Sequence, residues 1–343
     1  MDRSQSQIYA GNKGLANLGN TCYMNSALQC LSHLLTFHPL NERFQAECTV
    51  SGTCLMSEWY EFQRQMWSNE SSEMINPFKL VTCFQKNCKI HNYYFENFQQ
   101  NDADEFICIF LDLLHMGIKR DVRIRINSDI ASDSKDIYDQ FQIKSYETWK
   151  RFYESNYSYI IQNFSSQLLE MTVCEECGYH TSSHDPIQVI SLEIPKDSSS
   201  LKECLRHYTR HHHLDVDNQW KCDKCHQRVN PSKRTLLWKT SDVLILLLKR
   251  YTAHRKLCKH ISYPEILDLE GVSFNGGDMK SGNKYTLQGF CVHEGSLGGG
   301  HYYAICKNHL DKHWYKYNDT HVSSISKDTL YTYSPYVLFY KRI

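Results

Sequence analysis

From residue 24 the apolar side chains fall at Met24, Ala27, Leu28, Leu31, Leu34 and Leu35, the three-and-four spacing of an amphipathic helix. Asn20 or Thr21 can cap its start. His38-Pro39 is expected to end it, because the residue before a proline avoids the α region. The same spacing returns over 55–67, at Leu55, Trp59, Phe62, Met66 and Trp67. It is strongest over 99–116, where Phe106, Ile109, Phe110, Leu113 and Leu114 make one face. There Asn101 or Asp102 is the expected cap, and Asp104 and Glu105 suit the positive end of the helix. Pro77 opens a weaker element, and the Tyr- and Phe-rich stretch 138–162 reads as helical.

Beyond residue 164 the period shortens. Residues 164–173 alternate loosely, 187–194 alternate as a strand should, and Pro195 closes that run. A short helix is expected over 201–208. Strands are expected over 234–239, 243–250, 284–293, 301–307, 313–318 and 336–342. The run VLILLLKR at 243–250 is apolar on both faces, which marks a central, buried strand. Residues 1–13 read as a loose arm, 127–136 as a polar loop, and 251–283 as a connection with a glycine turn at 275–277. A helical first part followed by a β-rich body places the chain in the α+β class.

Composition narrows the function. The chain has 343 residues, enough for one elaborate domain or two ordinary ones. Lys plus Arg and Asp plus Glu both number 38, so a nucleic-acid partner is not expected. The longest apolar run, 243–248, is far short of the ~18 residues that would suggest a membrane span. The 15 cysteines are an odd count, and the polar N-terminus lacks the apolar core of a secretory signal. Reduced thiols and a cytoplasmic or nuclear setting are therefore expected.

Three groupings carry chemistry. Cys22 lies where a glycine-punctuated loop meets the first helix. A helix start favours thiolate over thiol, as a nucleophile requires, although a buried, inert cysteine would look the same. Gly298-Gly299-Gly300-His301-Tyr302 sets a histidine at the head of a strand behind a loop that another backbone can approach closely. One connection later come Asn318 and Asp319. A side-chain oxygen there would accept from the imidazole Nδ1–H and fix the tautomer, although Asn-Asp also suits a plain turn. Separately, Cys174-x2-Cys177 and Cys222-x2-Cys225 offer four thiolates for a closed zinc shell of structural type. The 44 residues between the pairs require strands that run out and back. His211-His212-His213 reads as a solvated loop, and Cys48, Cys54, Cys83 and Cys88 as ordinary thiols.

Together these stretches resemble the catalytic domain of the ubiquitin-specific proteases. GLANLGNTCYMNSALQ resembles that family's cysteine box, and QNDADEF its helix start. WKTSDVLILLLKRY resembles the strand before its blocking loops. YTLQGFCVHEGSLGGGHYYAICKN with WYKYNDTHVS resembles its histidine box. The resemblance implies a papain-like fold shaped as a right hand over 14–343. Its thumb would span about 14–116, zinc-bearing fingers about 164–240, and a palm the remainder. It implies a monomeric thiol-dependent deubiquitinase with a structural zinc ion, acting on ubiquitin and ubiquitinated proteins. Cys22 would be the nucleophile, His301 the base, Asn318 the third triad member and Asp319 an adjacent acid. Asn17 would stabilise the oxyanion, and Asp102, Gly299, Gly300 and Tyr302 would meet the ubiquitin tail. Asn101 departs from the family's second glutamine. Intact Cys22, His301, Asn318 and Asn17 argue against a binding scaffold that has lost catalysis. A ubiquitin-like modifier with the same diglycine end remains open as substrate.

Overall fold

A computed structural model describes residues 10–51, 54–70, 74–95, 99–128, 130–131, 134, 136–213, 219–252, 254–273, 283–296 and 298–343. The expected turn at 275–277, most of the N-terminal arm and part of the loop 127–136 lie outside the described residues. In chain order the first part holds strand β1 (Gly14–Leu15), helix α1 (Cys22–Ser32), a 3-10 turn (Leu35–Phe37), α2 (Glu42–Ser51) and α3 (Cys54–Trp67). Then come β2 (Met74–Ile75), α4 (Phe78–Ile90), α5 (Ala103–Ile118), α6 (Ile137–Asn156) and α7 (Tyr159–Phe164). The first helix stops at Ser32, before the expected end, and tightens into the 3-10 turn ahead of His38-Pro39.

The second part runs β3 (Ser166–Val173), β4 (His180–Ile187), β5 (Val189–Leu192), α8 (Leu201–Tyr208), β6 (His211–His213), β7 (Trp220–Lys221), β8 (Arg228–Val229) and β9 (Ser232–Lys239). It continues with β10 (Val243–Leu248), β11 (Ile266–Asp268), β12 (Lys284–Ser296), β13 (Gly299–Lys307), β14 (Trp314–Asn318), β15 (His321–Ile325), α9 (Lys327–Leu330) and β16 (Pro335–Arg342). The main sheet has the order β15-β14-β13-β12-β16-β10-β5, with β11 beside β12. Only β5 on β10 is parallel among these pairs. A second sheet, β4-β3-β9-β6, forms a ribbon, and β7 pairs β8. The range 164–240 thus contains the ribbon and also β5 of the main sheet. The three histidines form an edge strand on β9 where a loop was expected.

The doubly apolar run at 243–248 is explained by its place. Val243, Ile245 and Leu247 face a core shared with α1 and α5, while Leu244, Leu246 and Leu248 face a second core on the other side of the sheet. Each such side chain contributes about 1.5–3 kcal/mol of burial, so both faces select for large aliphatics. Helix α1 goes further than its pattern suggests: every one of its residues is buried. Its polar side finds partners in place of water. Asn25 donates to Ala16 O (3.3 Å) and Asp319 Oδ1 (2.8 Å), and Gln29 donates to Lys13 O (2.8 Å). The cysteine-bearing helix is therefore clamped between the helical half and the sheet.

Candidate active site

The loop before α1 is built by its own side chains. Asn17 Oδ1 accepts from the backbone N–H of Gly19 (3.0 Å) and Thr21 (3.2 Å), and Leu18 N donates to Thr21 Oγ1 (2.9 Å). Gly19 and Asn20 take consecutive left-handed conformations, φ 102° and 55°, the region that glycine and asparagine tolerate best. Cys22 is then the first residue of α1, as its sequence context predicts.

His301 stands on β13, and Asn318 and Asp319 stand at the end of β14. Asn318 Oδ1 accepts from His301 Nε2 at 2.5 Å. This corrects the expected bond through Nδ1. The proton is fixed on Nε2, and Nδ1 is left with its lone pair for another group. Asp319 sits at the tip of the β14–β15 hairpin with φ 50°, so the turn reading of Asn-Asp also holds. Its carboxylate accepts from Asn17 Nδ2 (2.9 Å) and Asn25 Nδ2 (2.8 Å), and its carbonyl accepts from Leu15 N (2.8 Å). It also lies 4.0 Å from His301 Nε2. Asp319 thus ties the cysteine loop and helix to the histidine strand across some 300 residues of chain.

Between these walls runs a cleft of about 540 Å³. Cys22, Tyr23, Asp102 and Glu105 line one side, and His293, Gly298, Gly299, Gly300 and Tyr302 the other. Asp102 precedes α5 but makes no side-chain cap; instead its Oδ1 accepts from Tyr302 Oη at 3.0 Å. Asn101 Nδ2 donates to Tyr23 Oη at 3.2 Å. Gly300 pairs with Gly295, and a Cβ on it would lie 2.3 Å from Glu294 O. Only glycine fits there, and the strand edge stays open to another backbone. Tyr251, His293 and Gln100 also line the cleft, and sequence reasoning passed over them. For His293 the signal was register: it pairs with Tyr302, a position that alternation along two facing strands could have supplied.

No hydrogen bond joins Cys22 to His301 among the described residues. Burial pushes the Cys22 thiol above its ordinary value of 9.0; the Tyr302 backbone N–H pulls it down and the Asp319 charge pushes it further up. The expected thiolate is not favoured in this state. A helix start contributes about 0.3–1 kcal/mol, less than the roughly 1.36 kcal/mol that moves one pK unit, whereas burial can move a group by about 3–5 units. Alkylation of Cys22 by iodoacetamide is therefore expected to be slow at pH 7 and to keep rising past pH 9.0. Peptide mapping after timed alkylation checks this, and a rate already level at neutral pH would contradict it.

The four remaining site cysteines also come together. Cys174 Sγ lies 3.9 Å from Cys225 Sγ, and Cys177 Sγ 3.6 Å from Cys222 Sγ. All four sulfurs fall within 4.8 Å of one another. A tetrahedron with metal–sulfur bonds of about 2.3 Å has edges of about 3.8 Å, so the set fits a metal ion. The other paired cysteines hold a surprise: Cys54 and Cys83 Sγ lie 2.6 Å apart, a juxtaposition their spacing did not reveal. His211–His213 join no metal-binding group among the described residues; His213 Nδ1 meets Glu175 at 3.2 Å.

The family model described as ubiquitin carboxyl-terminal hydrolase matches residues 13–340. Human ubiquitin carboxyl-terminal hydrolase 21 is 30% identical over 354 residues, covering 97% of this chain and 62% of that protein. Ubiquitin carboxyl-terminal hydrolase 2 of Gallus gallus is 32% identical over 349 residues, covering 98% and 95%. The chain thus spans less than two thirds of the first relative and nearly all of the second. Among solved structures, the SAGA Ubp8/Sgf11/Sus1/Sgf73 DUB module bound to ubiquitin aldehyde matches with a TM-score of 0.73 and 25% identity, over 100% of this chain and 72% of that one. The same module bound to monoubiquitin gives 0.74 and 26%, over 100% and 71%.

Proposed function

The chain belongs to the ubiquitin carboxyl-terminal hydrolase family, and from that premise we propose that it is a cysteine-type deubiquitinase cleaving the peptide or isopeptide bond after the last glycine of ubiquitin. Its fold is the α+β, papain-like hand of thumb, palm and fingers. The observation that carries the proposal is the cleft: a cysteine at a helix start on one wall and Gly298, Gly299 and Gly300 on the other, with the Asn-fixed His301 next along the same strand. That channel admits a side-chain-free tail.

Cys22 attacks the carbonyl carbon of the terminal glycine. His301 Nδ1 takes the thiol proton and passes it to the departing amine, leaving a thioester. Water then adds to the thioester with His301 as base, releasing the carboxylate and restoring the thiol. Asn318 holds the ring in the required tautomer. Asn17 Nδ2 carries two hydrogens and commits one to Asp319; the other serves the oxyanion beside backbone N–H groups near Cys22. Because Cys22 and His301 are not hydrogen-bonded in this state, arrival of the tail completes the alignment. Asp102 and Tyr302, joined to each other, and Gly299 and Gly300 border the tail. Cys174, Cys177, Cys222 and Cys225 would hold zinc, which supplies structural cross-linking because four thiolates leave no open position. Its 15 free cysteines accord with a reducing cytoplasm or nucleus, where it would act on ubiquitinated proteins as a monomer. No helix among the described residues is long and apolar enough to cross a membrane.

The test uses ubiquitin carrying an aminocoumarin amide at its C-terminus, beside the same group on a ubiquitin-like modifier with a diglycine end. Fluorophore release from ubiquitin is expected. No release from either would overturn the proposal, and release from the modifier alone would reassign the substrate.

A further inference from the structure

The chain turns back directly after β10. Leu257 N donates to Arg250 O (2.6 Å) and Thr252 N to Arg255 O (3.0 Å). Buried Arg250 pins this hairpin by donating to the carbonyls of Pro335 (2.7 Å), Leu257 (3.1 Å) and Lys259 (2.7 Å). From the hairpin Lys256 reaches across to β12. Its ammonium donates to His293 O at 2.7 Å and to Gly295 O at 3.2 Å, and lies 2.8 Å from His293 Nδ1. Tyr251 Oη is 2.5 Å from the same nitrogen.

An ammonium offers donors only. The 2.8 Å contact is a hydrogen bond when His293 Nδ1 presents its lone pair to the ammonium, which places the ring's one hydrogen on Nε2. Burial and the Lys256 charge keep the ring neutral, pushing it down to about 4. Tyr302 packs against the same ring, centroids 4.5 Å apart. Nε2 lies over Gly300 of the glycine strand: a Cβ on that residue would sit 2.4 Å from it. No described residue accepts a hydrogen bond from this nitrogen, although the ring lines the cleft beside Cys22. A fixed donor without a protein partner, facing a channel for an extended backbone, is matched by a peptide carbonyl.

We propose that Lys256 is a positioning residue, which anchors the hairpin to β12 and keeps His293 as an Nε2–H donor to a backbone carbonyl of the tail in the cleft. The inference rests on the tail-channel reading above. Its first test does not depend on activity: two-bond nitrogen–proton correlations in the full chain labelled with ¹⁵N-histidine. His293 is expected to show a protonated Nε2 and a bare Nδ1, and a protonated Nδ1 would overturn the idea even if ubiquitin is cleaved. Lys256→Met is expected to lose that single tautomer and to raise KM for the ubiquitin–aminocoumarin substrate about tenfold, with kcat within about twofold. Lys256→Arg, which keeps the donors, is expected to recover most of the KM. An unchanged KM in Lys256→Met, or a loss in kcat alone, would refute the role. If Lys256→Met does not fold, Lys256→Arg against wild type decides by the same ring signals. If wild type cleaves nothing, the ring signals still decide the Lys256–His293 coupling, separately from the substrate.

Discussion

Cys22→Ala is expected to lower release of aminocoumarin from ubiquitin by about 10⁴-fold or more, while ubiquitin binding and the melting temperature change little. On the proposed mechanism the loss follows from chemistry: without the sulfur no thioester would form, and His301 would have no proton to move. The preserved fold follows from structure. Residue 22 opens a helix whose hold comes from packing along its whole length, and alanine suits a helix. The Asn17, Thr21, Asn25 and Asp319 contacts that shape the loop do not involve the sulfur. His301→Ala is expected to cost a comparable amount. The double variant is expected to cost no more than the worse single one, because residues acting as one unit are strongly non-additive. Binding of ubiquitin to the Cys22→Ala protein, followed by calorimetry, separates the two effects. A residual rate above about 1% of wild type would mean that another group supplies the nucleophile, and lost binding would mean that the loop, not the chemistry, had failed.

The helices with strong period were legible because a single apolar stripe faces a single core. Helix α5 is the plain case: Phe106, Ile109, Phe110, Leu113 and Leu114 are all buried. The run at 243–248 was legible as a central strand for the complementary reason, that both of its faces are apolar. Helix α1 was legible only in part. Its apolar positions marked one face, but nothing local says that Asn25 is buried as well. Its acceptor, Asp319, lies 294 residues away in the chain. The edge strand at His211–His213 was missed because it is held by backbone bonds to Ser232–Arg234, and backbone pairing leaves no mark in side-chain type.

The site divides in the same way. Residue types and order pointed to Cys22, His301, Asn318 and Asp319, since chemistry restricts which side chains can serve. Geometry was not legible. The ring nitrogen bonded to Asn318 depends on how β13 and β14 lie side by side, and that reversed the expected tautomer. The state of the thiol depends on how deeply the fold buries Cys22, a quantity set by tertiary packing. The helix-start argument was sound but outweighed. Asn17 shows a mixed outcome: the motif marked it, yet its side chain builds the loop and binds Asp319, so changing it would disturb loop shape along with the oxyanion stabilisation proposed for it.

Zinc analysis of the purified protein is expected to give one ion per chain, and Cys222→Ser is expected to lose it. The two knuckles are built alike. Gly178 N donates to Cys174 O and His226 N to Cys222 O, each at 2.9 Å, while Cys174 N and Cys222 N donate to the returning carbonyls of Tyr179 and Gln227. The residue after each second cysteine is left-handed, Gly178 at φ 69° and His226 at φ 60°. Histidine is among the non-glycine residues that tolerate this region best, so both knuckles close with the same turn around the four sulfurs. What it encloses is small: Cys174, Cys222 and Val229, with Tyr179 and Trp220 packed beside them. Such a cluster buries too little apolar surface to hold a ribbon end closed by itself, whereas structural zinc contributes about 10–16 kcal/mol in small zinc modules. Removal of the ion by a chelator, or Cys222→Ser, is therefore expected to strip hydrogen-exchange protection from residues 174–179 and 220–229. The main sheet, whose two cores lie on either side of it and apart from this cluster, should keep its protection. Unchanged zinc content in Cys222→Ser, or exchange that rises equally across the main sheet, would show that these four sulfurs do not form an independent metal-closed unit.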